Sequence, residues 1–383
     1  MQVDVVTTEV EFVALRNEWN ELARNAAARS VFLSHEWFVA AWAWRRHDSE
    51  LRLFVARIDG AIVALLPLIA ERMSGRWQRT WALLTVPDTQ HCDMVVNPAS
   101  TNSAAAAFAD TLALRGDWDI LRLDYLDPDG AIATRLRPQL EKRSIPCVLE
   151  ERGRNLFVPL SGTWAAYWAS RSRSLKKASN LAVNRLEKVG SVRIDRLDAT
   201  VASEAERDRV IDAAIGVSSR SWKQRTGNSL DHRGPGDFIR ALSSAALREG
   251  WLSLWLAYLD DRPVAMEYQL VYAGNVHALR SDFDADLAHD SPGSYLFRHL
   301  IEAHFGHGLS RYFMGPGQNA YKKRWTNEGI PLVGVIAYNR TLTGRLSHWM
   351  DARAKPLLRF VRDRLIGQKR DNAIDTPQEK SPR

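Results

Sequence analysis

A tyrosine and a lysine late in the chain are of the types that take part in acyl transfer. They are Tyr321 and Lys322, in the segment YKKRW, and they follow a glycine-rich turn at 315–317. A tyrosine hydroxyl can protonate a leaving thiolate, and a lysine ammonium can stabilise the oxyanion that forms when a carbonyl is attacked. A packed aromatic ring and a surface cation are the alternative interpretation. Tyr321 and Lys322 are therefore candidate catalytic residues.

A helix start shortly before this segment has the composition of an anion site. A predicted strand ends near Asp284, and the run SPGS begins at Ser291. Serine is a preferred N-cap residue, and proline suits the first helical position. The N–H groups of Gly293 and Ser294 would then lie at the positive end of the helix dipole, where a glycine also lets a ligand approach closely. The pattern predicts a pyrophosphate-type site, although many helices begin with Ser-Pro and bind nothing.

A residue that could take a proton from the attacking group is harder to identify. Asp282 and Asp284 end the strand that would face a bound acyl group, and alternation places them on one face of it. Glu267 lies on the preceding strand. Turn capping is the alternative role for the two aspartates, and a relay through water would make a side-chain base unnecessary. Asp282 and Asp284 are therefore the candidate bases.

The elements that must position these residues occur twice in the chain. Residues 51–65 (LRLFVARIDGAIVAL) and 252–266 (LSLWLAYLDDRPVAM) align at a constant offset, and each predicts a β-hairpin with two polar residues at its tip. In each half a strand, a helix and another strand follow the hairpin. These elements are predicted at 81–86, 102–115 and 118–123, and again at 276–283, 292–305 and 310–314. The chain is therefore expected to contain two copies of one α/β unit.

A basic helix and a basic tail are candidates for contact with a charged partner. Apolar residues spaced three or four apart predict an amphipathic helix over 164–189. Its polar side carries Arg173, Lys176 and Lys177, which would bind a phosphate-bearing or acidic acceptor or would simply face solvent. Residues 341–383 predict a basic amphipathic helical tail with a disordered end. The tail would pack on its own domain or make peripheral contact with a membrane.

The composition excludes several classes of protein. The 383-residue chain has a formal net charge of +7 and 2 cysteines, which fit a reducing cytoplasm and no disulfide framework. No run of about 18 apolar residues and no signal peptide is found, so we expect a cytoplasmic protein, at most peripheral to the inner membrane. The sequence lacks a P-loop and a nucleophile elbow, and its histidines do not have metal-ligand spacing, so no metal is expected.

The order strand, hairpin, strand, anion-binding helix, strand, short helix with tyrosine and strand resembles the GNAT N-acetyltransferase superfamily. The pairing of SPGSYL with GPGQNAYKKRW resembles the CelD-type acetyltransferases of cellulose and exopolysaccharide synthesis, which carry tandem GNAT units and are related to Fem peptidyltransferases. The resemblance implies an α/β (α+β) fold of two GNAT-like domains, each with a mixed, mostly antiparallel sheet flanked by helices. It also implies an acyl-CoA, acetyl-CoA in the first instance, bound by Ser291, Gly293, Ser294 and Tyr295, and a catalytic role for Lys322.

The sequence departs from the GNAT pattern in the loop before this helix. The usual form is R/Q-x-x-G-x-G/A, whereas residues 288–293 (AHDSPG) keep one glycine and no arginine. Fem-type chains also depart from it and use aminoacyl-tRNA as the donor. Transfer from aminoacyl-tRNA is therefore an alternative, and nucleic acid is expected as a partner only in that case.

The resemblance implies three parts and one leading function. Residues 1–150 are expected to form a degenerate GNAT-like domain without a cofactor, residues 151–340 the domain with the acyl-CoA site, and residues 341–383 the tail. The expected activity is N- or O-acyl transfer to a small molecule or glycan precursor of the cell envelope, bound between the domains near the basic helix. A scaffold in polysaccharide assembly that keeps the fold without catalysis is the remaining alternative.

Overall fold

The computed structural model describes residues 1–26, 29–72, 77–198 and 203–354, and these residues form two α/β units joined by one sheet. The elements of the first unit are β1 (Gln2–Val6), α1 (Glu9–Ala14), α2 (Arg16–Asn25), α3 (His35–Arg45), β2 (Ser49–Ile58), β3 (Ala61–Glu71), β4 (Thr80–Leu83), β5 (Val95–Val96), α4 (Thr101–Leu114), β6 (Ile120–Leu126) and α5 (Arg137–Lys142).

The second unit begins with a long strand and has the same order of elements around its hairpin. Its elements are β7 (Cys147–Pro159), α6 (Trp164–Ala169), α7 (Arg173–Val189), β8 (Val192–Asp198), α8 (Glu204–Ser219), α9 (Arg233–Arg248), β9 (Leu252–Leu259), β10 (Arg262–Tyr272), β11 (Asn275–Phe283), α10 (Pro292–His304), β12 (Arg311–Pro316), α11 (Ala320–Trp325), β13 (Gly329–Tyr338) and α12 (Leu342–Trp349). A short 3-10 helix, Trp222–Thr226, lies between α8 and α9.

The sheet is continuous through both units and nearly symmetric about its centre. Its strand order is β1-β2-β3-β4-β6-β13-β7-β12-β11-β10-β9-β8, with β5 paired to β3. Neighbouring strands are antiparallel except for β4 with β6 and β11 with β12. Each outer half is therefore a run of four antiparallel strands followed by one parallel neighbour, which confirms the predicted mixed, mostly antiparallel sheet.

The predicted repeat is confirmed in its hairpins. In the first unit Ile58 pairs with Ala61, and in the second Leu259 pairs with Arg262, so each hairpin has a two-residue turn. All four turn residues have positive φ. This is the conformation of a type I′ turn, which favours Asp and Gly and so explains why the two tips have similar sequences.

Strands β7 and β13 fill the centre of the sheet and connect the two units. β7 pairs with β12 of the second unit, β13 pairs with β6 of the first unit, and β7 and β13 pair with each other. The boundary that we expected between residues 150 and 151 therefore falls inside β7. The units are joined by main-chain hydrogen bonds rather than by a linker.

Helices α3 and α9 hold the units together on one side of the sheet. Trp37 of α3 meets Phe238 of α9 edge to face, with 5.4 Å between the ring centroids. Both side chains are fully buried, and burial of an aromatic side chain of this size stabilises the fold by about 2 to 3 kcal/mol. The apolar core is therefore continuous across the boundary between the two repeats.

Two predicted elements differ from those observed. The single helix expected over 164–189 is divided into α6 and α7, because the Ser172 hydroxyl accepts a hydrogen bond from the Leu175 amide at 3.2 Å and caps a new helix. The predicted tail begins with α12 and continues as a short π-helix, Met350–Ala354. The remainder of the tail, residues 355–383, lies outside the described residues.

Candidate active site

The two parallel strands of the second unit separate at their carboxyl ends. β11 and β12 pair at three positions, the last of which joins His277 to Phe313. Beyond this pair β11 continues to Phe283 and β12 to Pro316, with no further pairing between them in the described structure. The opening between residues 278–283 and 314–316 is called the strand gap below.

A bulge in β11 divides the side chains beside the strand gap between the two faces of the sheet. Tyr268 of β10 pairs with Arg280, whereas Gln269 pairs with Ala278, so Leu279 is an extra residue. Bulges redirect the side chains next to them. After the bulge, the odd-numbered residues of β11 face α10 and the even-numbered residues face the opposite side.

The helix start predicted at Ser291 is confirmed, but its contacts differ from those expected. Ser291 has a left-handed conformation with φ 58° and makes no side-chain capping bond to α10. The N–H of Ser294 donates to the Ser291 carbonyl oxygen at 3.0 Å, so it is engaged within the first turn. A Cβ atom at Gly293 would lie 3.0 Å from the Phe283 ring, so the glycine lets α10 pack against the end of β11. The helix therefore begins directly beside the strand gap, with Ser294 exposed.

Lys322 reaches the strand gap from α11. Asn319 caps this helix by accepting a hydrogen bond from the Lys322 amide at 3.0 Å. The Lys322 ammonium donates to the carbonyl oxygens of Gly315 and Pro316 at 2.7 and 2.9 Å. A Cβ atom on Gly315 would lie 3.7 Å from both Lys322 Nζ and the Ala278 carbonyl oxygen, so the ammonium lies at the end of β12 that borders the strand gap. Burial lowers the pKa of Lys322 to about 8.

Tyr321 lies beside the gap on the α10 face. Its ring meets Phe297 of α10 edge to face, with 5.5 Å between the centroids. The residue is 40% exposed. Burial of the hydroxyl and the nearby Glu267 carboxylate raise the pKa of Tyr321 well above its ordinary value. The phenol therefore keeps its proton at neutral pH and can act as a donor.

Glu267 forms a buried polar cluster under Tyr321. Its carboxylate accepts hydrogen bonds from Ser281, Tyr312 and Gln269. Burial raises the pKa of Glu267, and these three donors oppose the shift. Only 2% of Glu267 is exposed, whereas Ser281 is exposed, so a substrate would meet Glu267 through the Ser281 hydroxyl.

The predicted base Asp282 lies on the opposite face and has structural partners. It accepts a hydrogen bond from the Ser218 hydroxyl at 2.7 Å, and Lys223 Nζ lies 2.6 Å from its other oxygen. Ser218 lies in the last turn of α8, and Lys223 lies in the 3-10 helix between α8 and α9. The contacts of Asp282 therefore anchor the end of α8 and this 3-10 helix to β11.

The predicted base Asp284 is also held by structural partners. Its carboxylate accepts hydrogen bonds from Arg220, Arg262 and the Asp286 amide. Burial acts to raise the pKa of Asp284, but these donors outweigh it and hold the pKa below its ordinary value. These contacts favour the capping role that the sequence left open for this residue.

The three basic residues predicted to bind an acceptor lie on the first turns of α7. Arg173 and Lys177 are exposed, and the Lys176 ammonium donates to the Ala169 carbonyl oxygen at 2.8 Å. The far end of α7 lies nearer to the start of α10. Lys177 and Arg185 are separated by about 12 Å along the helix axis, so the three cations do not border the start of α10.

Other residues of α7 contact the start of α10. Arg185 donates to the His289 carbonyl oxygen at 3.1 Å, in the loop before α10. The Tyr295 hydroxyl, predicted to contact an acyl-CoA, donates to Glu187 at 3.4 Å. Arg185 therefore lies against the loop that leads into the predicted anion site.

Three polar residues that the sequence did not single out lie next to the strand gap on the side of the first unit. Gln90 donates from Nε2 to the Ala278 carbonyl oxygen at 2.7 Å, and its Oε1 lies 3.3 Å from His277 Nδ1. Asn155 of β7 donates to Gln90 Oε1 at 3.4 Å. No local pattern marks these residues, because the symmetric sheet brings them together from distant parts of the chain.

Two structural features are not found in the described part of the chain. It contains no group of three or more His, Cys, Asp or Glu side chains that could hold a metal ion. Within the same residues no helix has the length and apolar character needed to cross a membrane.

Comparisons with known proteins find a family model that matches part of the chain and solved structures with a similar fold. Residues 173–323 match the family model described as an acetyltransferase (GNAT) domain. A comparison with curated protein sequences finds no relative of the chain. The fold is similar to that of FemX, with a TM-score of 0.56 and 12% identity over 91% of this chain and 100% of the other.

Two further solved structures share the fold. One is the C-terminal DUF2156 domain attributed to a lysylphosphatidylglycerol synthetase of Agrobacterium fabrum, with a TM-score of 0.54 and 13% identity over 89% and 96% of the two chains. The other is a conserved protein of Bacteroides thetaiotaomicron, with a TM-score of 0.53 and 10% identity over 88% and 100%. At these identities the likeness concerns the fold alone. The family match spans the start of α10, the strand gap, Tyr321 and Lys322, and this part of the chain is therefore similar to a GNAT acetyltransferase domain.

Proposed function

We propose that the chain transfers an acyl group, acetyl in the first instance, from coenzyme A to an amine or hydroxyl acceptor. The observation that carries this proposal is the contact of Lys322 Nζ with the carbonyl oxygens of Gly315 and Pro316, at the end of β12 that borders the strand gap. A thioester in the strand gap would place its carbonyl near the ammonium. The pyrophosphate would then lie at the positive end of the α10 dipole, with Arg185 beside it.

The side chains around the gap fit the chemistry of acyl transfer. The acceptor nitrogen or oxygen forms a bond to the thioester carbonyl carbon, and the negative charge that develops on the carbonyl oxygen is stabilised by the Lys322 ammonium. The C–S bond then breaks, and the Tyr321 hydroxyl gives its proton to the thiolate. Because the contacts of Asp282 and Asp284 are structural, we assign removal of the acceptor's proton to water.

The acceptor class and the setting of the reaction belong to the same proposal. We propose a glycan precursor of the cell envelope or an exopolysaccharide as the acceptor, in line with the CelD-type resemblance of the segments at 291–296 and 315–325. The reaction would take place in the cytoplasm or at the inner face of the membrane, where acyl-CoA is formed.

The proposal is tested by calorimetric titration of the protein with acetyl-CoA and with desulfo-CoA. Ser294→Asp is the informative variant, since a carboxylate in the first turn of a helix stabilises the helix but repels a pyrophosphate. We expect Ser294→Asp to lose binding of both ligands and the neutral control Ser294→Asn to keep it. A substitution at Gly293 is less suitable, because its side chain would meet Phe283.

The outcomes separate the donor hypotheses. Saturable binding that is lost only in Ser294→Asp supports the coenzyme A site. Absence of binding at millimolar ligand overturns it. Binding of aminoacyl-tRNA that weakens steeply with salt would then favour the Fem-like alternative.

A further inference from the structure

A small cavity lies between the two units on the side of the sheet opposite α10. Its volume is about 220 Å³. Pockets that hold drug-sized ligands measure roughly 300 to 1,000 Å³, so this cavity has room for about one ring. Its lining contains the apolar side chains of Phe32, Phe313 and Leu332 together with polar and charged side chains.

Two buried atoms in the lining of this cavity have no hydrogen-bond partner in the described structure. They are Asn155 Oδ1 and His91 Nδ1. Asn155 is 5% exposed, so water does not readily replace a partner. A buried polar atom without a partner lowers the stability of the folded chain. A ligand that supplies hydrogen bonds to both atoms would recover that stability.

The cavity reaches the strand gap through Gln90. Gln90 and His277 line the cavity, and Gln90 Nε2 bonds to the Ala278 carbonyl oxygen at 2.7 Å. A Cβ atom on Gly315 would lie 3.7 Å from both Gln90 Nε2 and Lys322 Nζ. A group bound in the cavity is therefore adjacent to the point at which we place the thioester carbonyl.

The polar lining combines neutral amide, imidazole and hydroxyl groups with three charged side chains, those of Arg29, Asp127 and Arg311. Burial lowers the pKa of His277 to about 3 and also lowers the pKa of His91, so both imidazoles are uncharged at neutral pH. Amide and imidazole groups offer both donors and acceptors, and a hydroxyl group can satisfy either kind. A ring with several hydroxyl groups can therefore bond both to the neutral groups and to the charged side chains of this lining.

We propose that this cavity binds the acceptor, and that the part of the acceptor bound there is a single sugar ring that presents its amine or hydroxyl to the strand gap. This inference rests on the proposed function and names its acceptor class. A second cavity of about 340 Å³ shares His91 and Asp127 with the first and lies in the first unit. The rest of a longer glycan precursor would occupy that cavity.

The proposal is tested by saturation-transfer NMR of the full chain with D-glucosamine and with D-glucose. The informative variant is Asn155→Leu, which removes the unpartnered acceptor and replaces it with a side chain of similar size. Since Asn155 makes only a 3.4 Å bond to Gln90, we expect the melting temperature to stay the same or to rise. Sugar affinity should fall by about tenfold, as one hydrogen bond is worth roughly 1.4 kcal/mol. Asn180→Leu, at an exposed position on α7, is the control and should bind sugar normally.

The result is separable from that for the coenzyme A site. Ser294→Asp should keep sugar binding while it loses acetyl-CoA, and Asn155→Leu should show the reverse. The proposal is overturned if neither sugar binds at about 50 mM, a concentration that detects even very weak sites, or if Asn155→Leu binds sugar as well as the unmodified chain. Sugar binding together with absence of acetyl-CoA binding would support the cavity and overturn the proposed function.

Discussion

The guanidinium of Arg280 lies 2.9 Å from the carboxylate of Asp88, and this contact crosses from the second repeated unit to the first. Both side chains are buried, at 1% and 8% exposure. Arg280 also donates to the Asn228 carbonyl oxygen at 2.6 Å, so its charge is surrounded by acceptors. Arg280 is an even-numbered residue of β11, so the pair lies on the face of the sheet opposite α10, next to the strand gap. The pair therefore connects the first unit to the strand that borders the candidate site.

Removal of one member of this pair should destabilise the protein strongly. Asp88→Asn leaves the Arg280 charge buried without its counterion, and we expect the free energy of unfolding to fall by about 3 to 5 kcal/mol. Urea denaturation measures this loss. The control is Arg240→Met, which breaks an exposed pair with Asp212 and should cost less than about 1 kcal/mol. Equal losses in the two variants would show that the Arg280–Asp88 pair does not hold the units together.

Lys322→Ala should slow acyl transfer more than it weakens binding. The ammonium lies at the edge of the strand gap, where we place the oxyanion, so we expect kcat to fall by about tenfold or more with little change in KM for acetyl-CoA. Lys323→Ala, at the exposed neighbouring position, should leave both constants unchanged. If Lys322→Ala turns over at a nearly normal rate, the lysine only binds the carbonyl groups of β12.

The pH dependence of kcat should report the charge of Lys322. Burial lowers its pKa to about 8, and only the protonated form can stabilise an oxyanion. We therefore expect kcat to fall as the pH rises through about 8. Lys322→Arg keeps its positive charge well above this pH and should remove the fall, even if its rate is lower throughout. A kcat that increases through pH 8 would instead assign the neutral amine to proton removal.

The sequence predicts the repeated fold and the start of α10 because both depend on local patterns. The hairpin turns depend on Asp-Gly or Asp-Asp at their tips, and the start of α10 depends on Ser-Pro. Each pair affects only residues close to it in the chain, and the turns and the helix start lie where we predicted them. The contacts of Asp282 and Asp284 were not predictable in this way. Two of their partners, Ser218 and Arg220, lie at the end of α8 and directly after it, more than sixty residues earlier in the chain.

The cavity between the two units could not be predicted from the sequence either, because its residues come from distant parts of the chain. Gln90, Asn155 and His277 come from both units and meet only because β7 and β13 join the two halves of the sheet. Self-comparison finds that the units repeat, but it does not show that one sheet passes through both. The acceptor surface predicted on the first turns of α7 rests on its charge, and the contact of α7 with the loop before α10 is made by Arg185 instead.

Asp284→Asn should lower stability without changing the pH profile of catalysis. The variant loses charge-assisted hydrogen bonds from Arg220 and Arg262, so we expect about 2 to 3 kcal/mol less free energy of unfolding at neutral pH. The folded pKa of Asp284 lies below its ordinary value of 3.8, so its stabilising effect is present above that pH and disappears as the pH falls through the folded pKa. The difference between the two proteins should therefore shrink below about pH 4. A large loss of kcat with unchanged stability would restore Asp284 as the catalytic base.

Tyr321→Phe tests the donor to the leaving thiolate with little structural change. The ring and its contact with Phe297 are retained, and the residue is 40% exposed, so the melting temperature should not change. A positioned general acid contributes about 10² to 10⁴ in rate, so we expect kcat to fall by about a hundredfold at constant KM. Tyr167→Phe is the matched control, because it removes a hydroxyl that donates to the Trp325 carbonyl oxygen at 2.8 Å and should lower stability while kcat is preserved. A kcat for Tyr321→Phe within about twofold of the unmodified enzyme would mean that the thiolate leaves without a proton from this residue, since a twofold change corresponds to less than about 0.5 kcal/mol in the barrier.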